Sequence, residues 1–483
     1  MLPTNLSRGH RLLILCICCI SILMVSLDVT IVNVALPSIQ HDLHISISGA
    51  QWTIDAYTLV LASLLLLSGS TADRIGRRRT FQLGLVVFSL GSLLCSLSPS
   101  LSWLIVFRMV QAVGGSMLNP VALSIIDNVF TDAKERARAI GAWSGVVGIS
   151  MAAGPVIGGA LVASIGWRSI FWMNVPIALV ALLLTAKFVP ESRAPRPRRL
   201  DPVGQLFIIG FLASLVYGII EAPSLGWSSP YILGCFAASA ILLVALIFYE
   251  SHRHEPLIDL RFFRSAPFAG ASIIAVCAFI GLGGFLFLNT LYLQDVRDYS
   301  AIKAGLYLLP MALSMLICGP ISGYFVGRRG PRIPLLVGGA LFGLAAVMFA
   351  LSKGSISDQS LFTGYIMIGS GLGLLNAAIT NTALSGMPRS QAGVAAATTS
   401  TSRQIGQSLG VAIIGSVLAA HLTEVHAGGV FSASAQTSWW VLTGAGLLVV
   451  ITAIVTTGAW AKGTAQRSRS LIEAVDAKLP ASG

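Results

Sequence analysis

Four ionisable side chains lie inside stretches of the chain that are long and apolar enough to cross a membrane: Asp28, Asp55, Arg108 and Arg403. Asp28 is the clearest case, since it is the lone carboxylate of the apolar run over residues 12–36. An ionised Asp at membrane depth costs roughly 2.5–3.5 kcal/mol on insertion scales, so such a group faces a protein interior or a wet cavity. These residue types can exchange protons or bind charged ligands, and we treat them as candidates for both.

Helix geometry predicts that the four groups lie at similar depth. At about 1.5 Å per residue, Asp28 lies ~13 Å from the helix end near Pro37, and Asp55 and Arg108 lie ~8 Å and ~10 Å from the same side. We therefore expect one buried network, in which an acid that is protonated in one state and ionised when an arginine or a cationic ligand approaches exchanges a proton for substrate. A purely structural pairing of Asp28 with Arg108 is the alternative.

The elements that position these groups follow from composition. Of 483 residues, 55% are hydrophobic and only 10% are charged, against about 25% charged in soluble domains. Apolar blocks of about 20 residues recur fourteen times, each long enough to span a bilayer as a helix. They are centred near residues 24, 60, 89, 113, 150, 179, 211, 239, 280, 314, 342, 371, 404 and 448. With no alternating barrel strands, this predicts an all-α multi-pass membrane protein with 14 transmembrane helices.

The net charge of +12 indicates orientation rather than nucleic-acid binding. Most of the 31 Lys and Arg residues fall on the loops and termini that would share one side of the membrane. Such a bias is the positive-inside rule, which predicts that both termini are cytoplasmic. All seven cysteines fall within apolar blocks and read as small buried residues, so we expect no metal site. Without a phosphate-binding loop, we expect no cofactor, and any transport would use a gradient.

Two longer polar stretches, 190–202 and 249–265, divide the chain. We predict a six-helix bundle over 1–190, a linker with a two-helix insertion over 191–255, and a six-helix bundle with a tail over 256–483. A repeat supports this division: GSTADRIGRRR (69–79) and GYFVGRRGPR (323–332) share a Gly, a basic residue five positions on and a second Gly seven positions on. The second copy has Gly327 where the first has Asp73. Paired six-helix repeats are typical of one large transporter class.

Eight motifs in order make the resemblance specific. They are LDVTIVNVALP (27–37), QWTIDAYTLVLA (51–62), GSTADRIGRRR (69–79), FRMVQAVGGSML (107–118), GISMAAGPVIGGAL (148–161), WRSIFWMNVPIAL (167–179), AGLYLLPM (304–311) and SRQIGQSLGVAIIG (402–415). Together they resemble the fourteen-helix drug/proton antiporter branch of the major facilitator superfamily, the EmrB/QacA type. The resemblance covers the whole chain and implies the major facilitator fold, two six-helix bundles plus two extra central helices.

The resemblance also assigns roles. It implicates Arg108 and Gln111 of the helix 4 motif in proton coupling. An acid at Asp55, where many relatives have a small or hydroxyl residue, resembles the subset that exports lipophilic cations. The helix 5 antiporter motif (Gly154, Pro155, Gly158 and Gly159) is linked to a seal between the halves. The loop residues Asp73, Arg74, Gly76 and Arg77 would form a conformational switch, in which Asp73 binds the N-terminus of a helix that begins near Ala392.

Aromatic residues could add a pocket for cations. Trp52, Tyr57, Trp143 and Phe279 lie within or near predicted spans and could bind a cation through their ring faces. Aromatic side chains in membrane spans are also common as packing residues or interfacial anchors. Both interpretations stay open.

The function that the sequence favours is proton-coupled multidrug efflux of small amphiphilic, chiefly cationic compounds by alternating access. The alternative is a dedicated exporter of a single antibiotic, metabolite or lipid. An importer is disfavoured by the helix 5 motif, and a sensor by the short tail that follows the last span. An enzyme is disfavoured because no nucleophile–base pair or metal cluster is evident. The expected partners are the substrate, protons and the lipid bilayer of the cell membrane, with no nucleic acid, and we expect a monomer.

Overall fold

A computed structural model describes residues 7–194, 200–253, 256–352, 356–388, 391–422 and 430–478. Residues 195–199 of the predicted linker therefore lie outside the described ranges. The helices within them are α1 (Arg8–Leu43), α2 (Ile47–Ile75), α3 (Arg77–Ser96), α4 (Leu101–Val129), α5 (Ala133–Ser164), α6 (Ser169–Trp172), α7 (Asn174–Phe188), α8 (Pro202–Leu225), α9 (Pro230–Ser251), α10 (Ala266–Leu291), α11 (Ala301–Tyr307), α12 (Leu309–Arg329), α13 (Arg332–Leu351), α14 (Asp358–Leu384), α15 (Ala392–Leu422), α16 (Val430–Thr456) and α17 (Ala459–Lys478).

Within the described residues, thirteen helical segments are long and apolar enough to cross a membrane. Two of them are broken helices, α6 with α7 and α11 with α12, and a π-helical turn at Tyr292–Val296 extends α10. The fourteenth predicted span, centred near residue 404, corresponds to α15. This helix has 31 residues, but its first half is rich in hydroxyl groups and carries Arg403, which lowers its apolar character.

The helices form two bundles with an insertion between them in sequence. In the first half, α1–α7, the closest partners are α3 with α4, α1 with α5, and α2 with α4. In the second half, α10–α16, they are α10 with α15, α12 with α14, and α13 with α16. The insertion is a hairpin of α8 and α9, and α8 packs against both α2 and α15. It therefore lies along the seam between the two halves.

The repeat that the sequence indicated has a structural basis. Gly76 ends α2 with φ +123°, and Gly330 ends α12 with φ +80°. These are the second glycines of the two copies, and both occupy backbone conformations that other residues adopt only with strain. The shared spacing therefore marks the same helix end in both halves.

We call the side on which α1 begins and α17 lies the proximal side, and the opposite side the distal side. Along α5, the distance between the halves grows from distal to proximal. A Cβ atom at Gly159 would lie 2.5 Å from the Ala301 carbonyl oxygen, and one at Gly148 would lie 3.1 Å from Leu316. At Gly145 and Gly141 nothing lies within 4 Å of such an atom.

The facing helix α12 follows the same trend, since Gly319, Gly323 and Gly327 also have open space around their Cβ positions. On the distal side, by contrast, the Gln51 amide of α2 donates to the carbonyl oxygens of Val411 and Ala412 on α15, at 3.2 and 2.8 Å. The two halves are therefore closed together distally and diverge proximally.

Candidate functional site

Asp28 and Arg108 form an ion pair that is buried from solvent. The Arg108 Nη1 donates to Asp28 Oδ2 at 2.5 Å, and both side chains are 1% exposed. Asp28 Oδ1 accepts from Gln111 Nε2 at 2.7 Å and from Asn174 Nδ2 at 3.1 Å. The carboxylate is thus held by three donors from α4 and α7, and both of its oxygens are occupied.

The guanidinium of Arg108 is equally well coordinated. Its Nε donates to the Thr53 carbonyl oxygen on α2 at 3.2 Å, and its Nη1 also donates to Gln111 Oε1 at 2.8 Å. The ring of Tyr57 lies 4.2 Å from the guanidinium carbon. Because the pair is compensated, its charges can persist in a low dielectric. The structure thus brings Asp28 and Arg108 together as expected, and it adds Gln111 to the pair.

Asp55 is not part of this network, so the prediction of one network of four ionisable groups is wrong. It is fully buried, accepts from Thr58 Oγ1 at 3.2 Å and faces Ser408 of α15. Its Oδ2 has no hydrogen-bond partner among the described residues. The reason is rotational, since Thr53 and Tyr57 turn one face of α2 toward Arg108 while Gln51 and Asp55 turn another toward α15.

Arg403 is also separate from the network. Its Nη2 donates to the Asn376 carbonyl oxygen at 3.2 Å and to Thr380 Oγ1 at 2.6 Å, both on α14, and its guanidinium lies 5.8 Å from the Phe279 ring centre. Within the described residues no carboxylate pairs with it. The second half therefore contributes an uncompensated positive charge.

The four aromatic candidates contact different partners and do not form one pocket. Trp52 donates from Nε1 to Glu221 of α8 at 2.8 Å. Tyr57 stacks on Arg108, and Trp143 lies in the apolar core of the first half. Phe279 lies near Arg403. An aromatic cage for a cation is therefore not assembled in this conformation.

The glycines of the helix 5 motif allow α5 to approach α1. A Cβ atom at Gly154 would lie 2.0 Å from Thr30 Oγ1, and one at Gly158 would lie 3.0 Å from the Ile31 side chain. Side chains at these two positions would force the helices apart.

The same motif also contacts the second half. A Cβ atom at Gly159 would lie 2.5 Å from the Ala301 carbonyl oxygen, and one at Gly305 would lie 2.1 Å from the Pro155 carbonyl oxygen. The two backbones thus meet through a reciprocal pair of glycines, which is the closest kind of helix packing. This contact is central to the distal closure.

The loop between α2 and α3 pairs with the segment that follows α7. Asp73 accepts from Arg77 Nη2 at 3.0 Å, and the Asp73 carbonyl oxygen accepts from the Ala194 amide at 3.2 Å. Arg74 is exposed. The Asp73 carboxylate is therefore paired within its own half in this proximally open state.

Three functional residues escaped sequence reasoning. Asn174 and Ser92 complete the Asp28 network, since Gln111 and Asn174 both donate to Ser92 Oγ, at 3.2 and 3.0 Å. Glu191 accepts from the amides that begin α3, those of Arg78 and Arg79. Asn174 falls within the quoted motif at 167–179, so its polarity inside an apolar block was the available signal. Glu191 had none, because its contact is distant in sequence.

Comparison with known proteins identifies the family. The model of the Major Facilitator Superfamily matches residues 18–411. The chain belongs to the major facilitator superfamily. The superfamily fold expected from the sequence is thus confirmed.

Several curated relatives are similar over most of this superfamily member. Multidrug resistance protein Stp of Mycobacterium tuberculosis (strain ATCC 25618 / H37Rv) is 37% identical over 404 residues, or 84% of this chain and 75% of the relative. The tetracenomycin C resistance and export protein of Streptomyces glaucescens is 37% identical over 427 residues, or 88% and 79%. The methylenomycin A resistance protein of Bacillus subtilis (strain 168) is 33% identical over 407 residues, or 84% and 87%.

A solved structure shows the same fold. The bacterial homologue of the human lysosomal transporter Spinster, in an inward-facing and unoccupied conformation, matches with a TM-score of 0.67 over 96% of this chain and 99% of that chain. The sequence identity is 20%, so this likeness concerns the fold alone.

Proposed function

We propose that the protein is a proton-coupled efflux transporter of small amphiphilic compounds in the cytoplasmic membrane, of the fourteen-helix drug/proton antiporter type. The names of its relatives, which concern drug resistance and antibiotic export, support the direction of transport. The proposal places both termini and the proximal side in the cytoplasm, in line with the basic residues on that side. The conformation described here is then open to the cytoplasm and closed to the outside.

The observation that carries proton coupling is the environment of Asp55. This acid is buried where α2 of the first half meets α15 of the second, and no ion pair involving it occurs among the described residues. An uncompensated buried charge costs several kcal/mol. We therefore assign Asp55 a proton while the distal side is closed and no cation is bound beside it. Distal opening separates α2 from α15 and lets Asp55 take up a proton from outside water once substrate has left.

This requirement produces antiport. After substrate has left on the outside, the distal side closes only when Asp55 has taken up a proton from outside water. In the cytoplasm-facing state a cationic substrate that enters from the proximal side replaces this proton beside Asp55, and the proton leaves to cytoplasmic water, so each cycle carries a proton inward and a substrate outward. Asp28 contributes through its pair with Arg108, which ties α1 to α4 within the first half. The two acids act at different contacts, one within the first half and one between the halves.

The substrate class follows from the surface near the distal contact. A crevice between α1, α5, α10 and the α11–α12 segment is almost wholly apolar, with three methionine side chains. Its lining residues are Thr30, Met151, Pro155, Leu286, Leu308, Met311, Ala312 and Met315. Methionine adapts to ligands of different shape. The free space in the crevice is only about 20 Å³ in this conformation, far less than a drug-sized molecule needs. We therefore propose that the crevice widens during the cycle to take the apolar bodies of amphiphilic substrates, and that Asp55 favours those with one positive charge.

The test is dye transport in inverted vesicles with an imposed pH gradient. We expect Asp55→Asn to retain downhill dye exchange but to lose accumulation against a gradient, because its distal closure no longer requires a proton. Asp42→Asn is the matched control, since Asp42 is a distal acid on α1 that is paired with Arg168 at 2.7 Å and is 47% exposed. Accumulation by Asp55→Asn at the wild-type level would refute the coupling role.

A second candidate is a dedicated exporter of one antibiotic or metabolite. It is favoured by the relatives named for tetracenomycin C and methylenomycin A. Resistance measured in a pump-deficient host against unrelated dyes, biocides and antibiotics separates the two. Protection against several unrelated compounds supports multidrug efflux, and protection against a single compound supports the dedicated exporter.

A further inference from the structure

Two buried acids lie at the two ends of the α8–α9 insertion, where it joins the rest of the chain. Asp201 precedes the first residue of α8, on the connection from the first half, and is 2% exposed. Glu250 lies in the last turn of α9, on the connection to the second half, and is 3% exposed. Both groups are on the proximal side, remote from Asp28 and Asp55, and the proposed transport cycle uses neither.

Each acid has one carboxyl oxygen that accepts hydrogen bonds and one that has no hydrogen-bond partner among the described residues. Asp201 Oδ1 accepts from the Gly204 amide at 2.9 Å and from the Tyr249 hydroxyl at 3.1 Å. Glu250 Oε2 accepts from the Leu257 amide at 2.9 Å. Among the described residues, Asp201 Oδ2 and Glu250 Oε1 have no hydrogen-bond partner although both atoms are buried.

The two bare oxygens converge on the same space. A Cβ atom at Gly204 would lie 2.6 Å from Glu250 Oε1 and 3.0 Å from Asp201 Oδ2. The two oxygens are therefore less than about 6 Å apart, a separation at which like charges oppose each other's ionisation. Any larger residue at this position would crowd both oxygens.

Within the part of the chain that the structure describes, the nearby charges do not neutralise both acids. The Nε of Arg253, which is 38% exposed, lies 3.6 Å from Asp201 Oδ2. On the following segment, Asp259 and Arg261 are paired with each other at 2.6 Å. Among the described residues, one cation thus serves two buried carboxyl groups, Asp201 and Glu250. A metal ion does not fit this site, because Arg253 repels it and the described residues contain no group of three metal-ligating side chains.

We propose that Asp201 and Glu250 form a proton-binding site at the cytoplasmic end of the insertion. Asp201 caps α8 and faces Arg253, so we assign the proton to Glu250. Glu250 binds one proton from proximal water on Oε1 and donates it in a hydrogen bond to Asp201 Oδ2. Loss of this proton to water leaves two adjacent buried carboxylates that repel each other.

The bound proton stabilises the attachment of residues 256–264, which connect the insertion to the second half. Glu250 holds the backbone of Leu257, and Leu257 belongs to the same apolar cluster as Leu66 of α2 and Ile208 of α8. When both acids are ionised, their repulsion moves the Glu250 side chain and weakens this attachment. Residues 256–264, which lead into α10, are therefore held to the insertion in a manner that depends on the pH of the proximal side.

Hydrogen–deuterium exchange of the purified full-length protein tests this site without a transport assay. We expect amides in 256–264, corrected for the intrinsic effect of pH, to exchange severalfold faster at about pH 9 than at about pH 5, the range over which buried carboxyl groups titrate. Glu250→Gln, which keeps a neutral donor, should make this exchange independent of pH. Glu221→Gln is the matched control, because Glu221 lies at the distal end of the same insertion, and it should titrate like the wild type.

Gly204→Ala supplies a test without a change of charge. Its Cβ would lie too close to both bare oxygens and force them to shift, so we expect fast exchange of 256–264 already at the lower pH. Equal corrected exchange at both pH values in the wild type would overturn the proposal. The proposal would also be overturned if amide exchange in 256–264 depended on pH in Glu250→Gln as it does in Glu221→Gln. Because neither outcome depends on substrate export, failure here is distinguishable from failure of the proposed function.

Discussion

Substitution of Asp28 provides a quantitative test of the buried pair. The carboxylate accepts from Arg108, Gln111 and Asn174, so every neighbour is a donor. In Asp28→Asn the amide nitrogen must face at least one of these donors, and Arg108 becomes an uncompensated buried charge. Removing one partner of a buried ion pair costs about 3–5 kcal/mol. We expect that loss in the free energy of unfolding, together with loss of gradient-driven efflux.

The double-mutant cycle isolates the pair. Arg108→Gln alone should destabilise by a similar amount, because it leaves Asp28 unpaired. The double variant Asp28→Asn/Arg108→Gln has no buried charge, so its destabilisation should fall short of the sum of the single effects by several kcal/mol. The measurements are denaturant unfolding of the purified protein and dye efflux in inverted vesicles. Additive destabilisation, or full efflux by a normally expressed Asp28→Asn variant, would refute the reasoning.

Three further predictions test the other contacts. Gly159→Ala places a Cβ 2.5 Å from a backbone oxygen of the second half and should slow efflux severalfold, whereas Gly145→Ala, which meets open space, should leave efflux unchanged; equal effects would argue against the glycine seal. Asp73→Asn should weaken cysteine crosslinks across the proximal side in the outward-open state, and Gly327→Asp should not improve transport. Crosslinking that is unchanged in Asp73→Asn would exclude the conformational switch. Asp55→Ala should reduce resistance to monovalent cationic dyes more than resistance to neutral drugs. The wild type should protect less well against divalent than against monovalent cations. Identical resistance profiles of the wild type and Asp55→Ala would show that Asp55 does not select the substrate.

The proximity of Asp28 and Arg108 was predictable from the sequence. The locations of Asp55 and Arg403, both outside that network, were not. Depth follows from counting residues along a helix. Asp28, Asp55 and Arg108 do lie within helices that are long and apolar enough to span a membrane, and Arg403 lies in α15. The direction in which a side chain points follows from packing. Thr53 and Asp55 are two residues apart, which is about 200° around a helix, so one faces Arg108 and the other faces the second half. Sequence spacing alone could not decide which face of α2 meets which neighbour.

The spans themselves were predictable because apolar length is a local property. The breaks between α6 and α7 and between α11 and α12 were not predicted, since both lie inside continuous apolar stretches. The repeat was informative for a physical reason, because Gly76 and Gly330 hold positive φ angles that a glycine adopts without strain. The contacts of Glu191 and Asn174 depend on residues about a hundred or more positions away, so no local pattern could predict them.

The hydrogen bonds of α8 decide which half the insertion follows when the halves separate. Near its proximal end, Gln205 Nε2 donates to the Ser63 carbonyl oxygen of α2 at 2.7 Å, and near its distal end Glu221 accepts from Trp52, also on α2. The contacts of α8 with α15 described here lie in an apolar cluster. Hydrogen bonds fix both distance and direction, whereas apolar contacts allow surfaces to slide at little cost. The insertion should therefore move with α2 as part of the first half, and the sliding surface lies along α15, which is where Asp55 is buried.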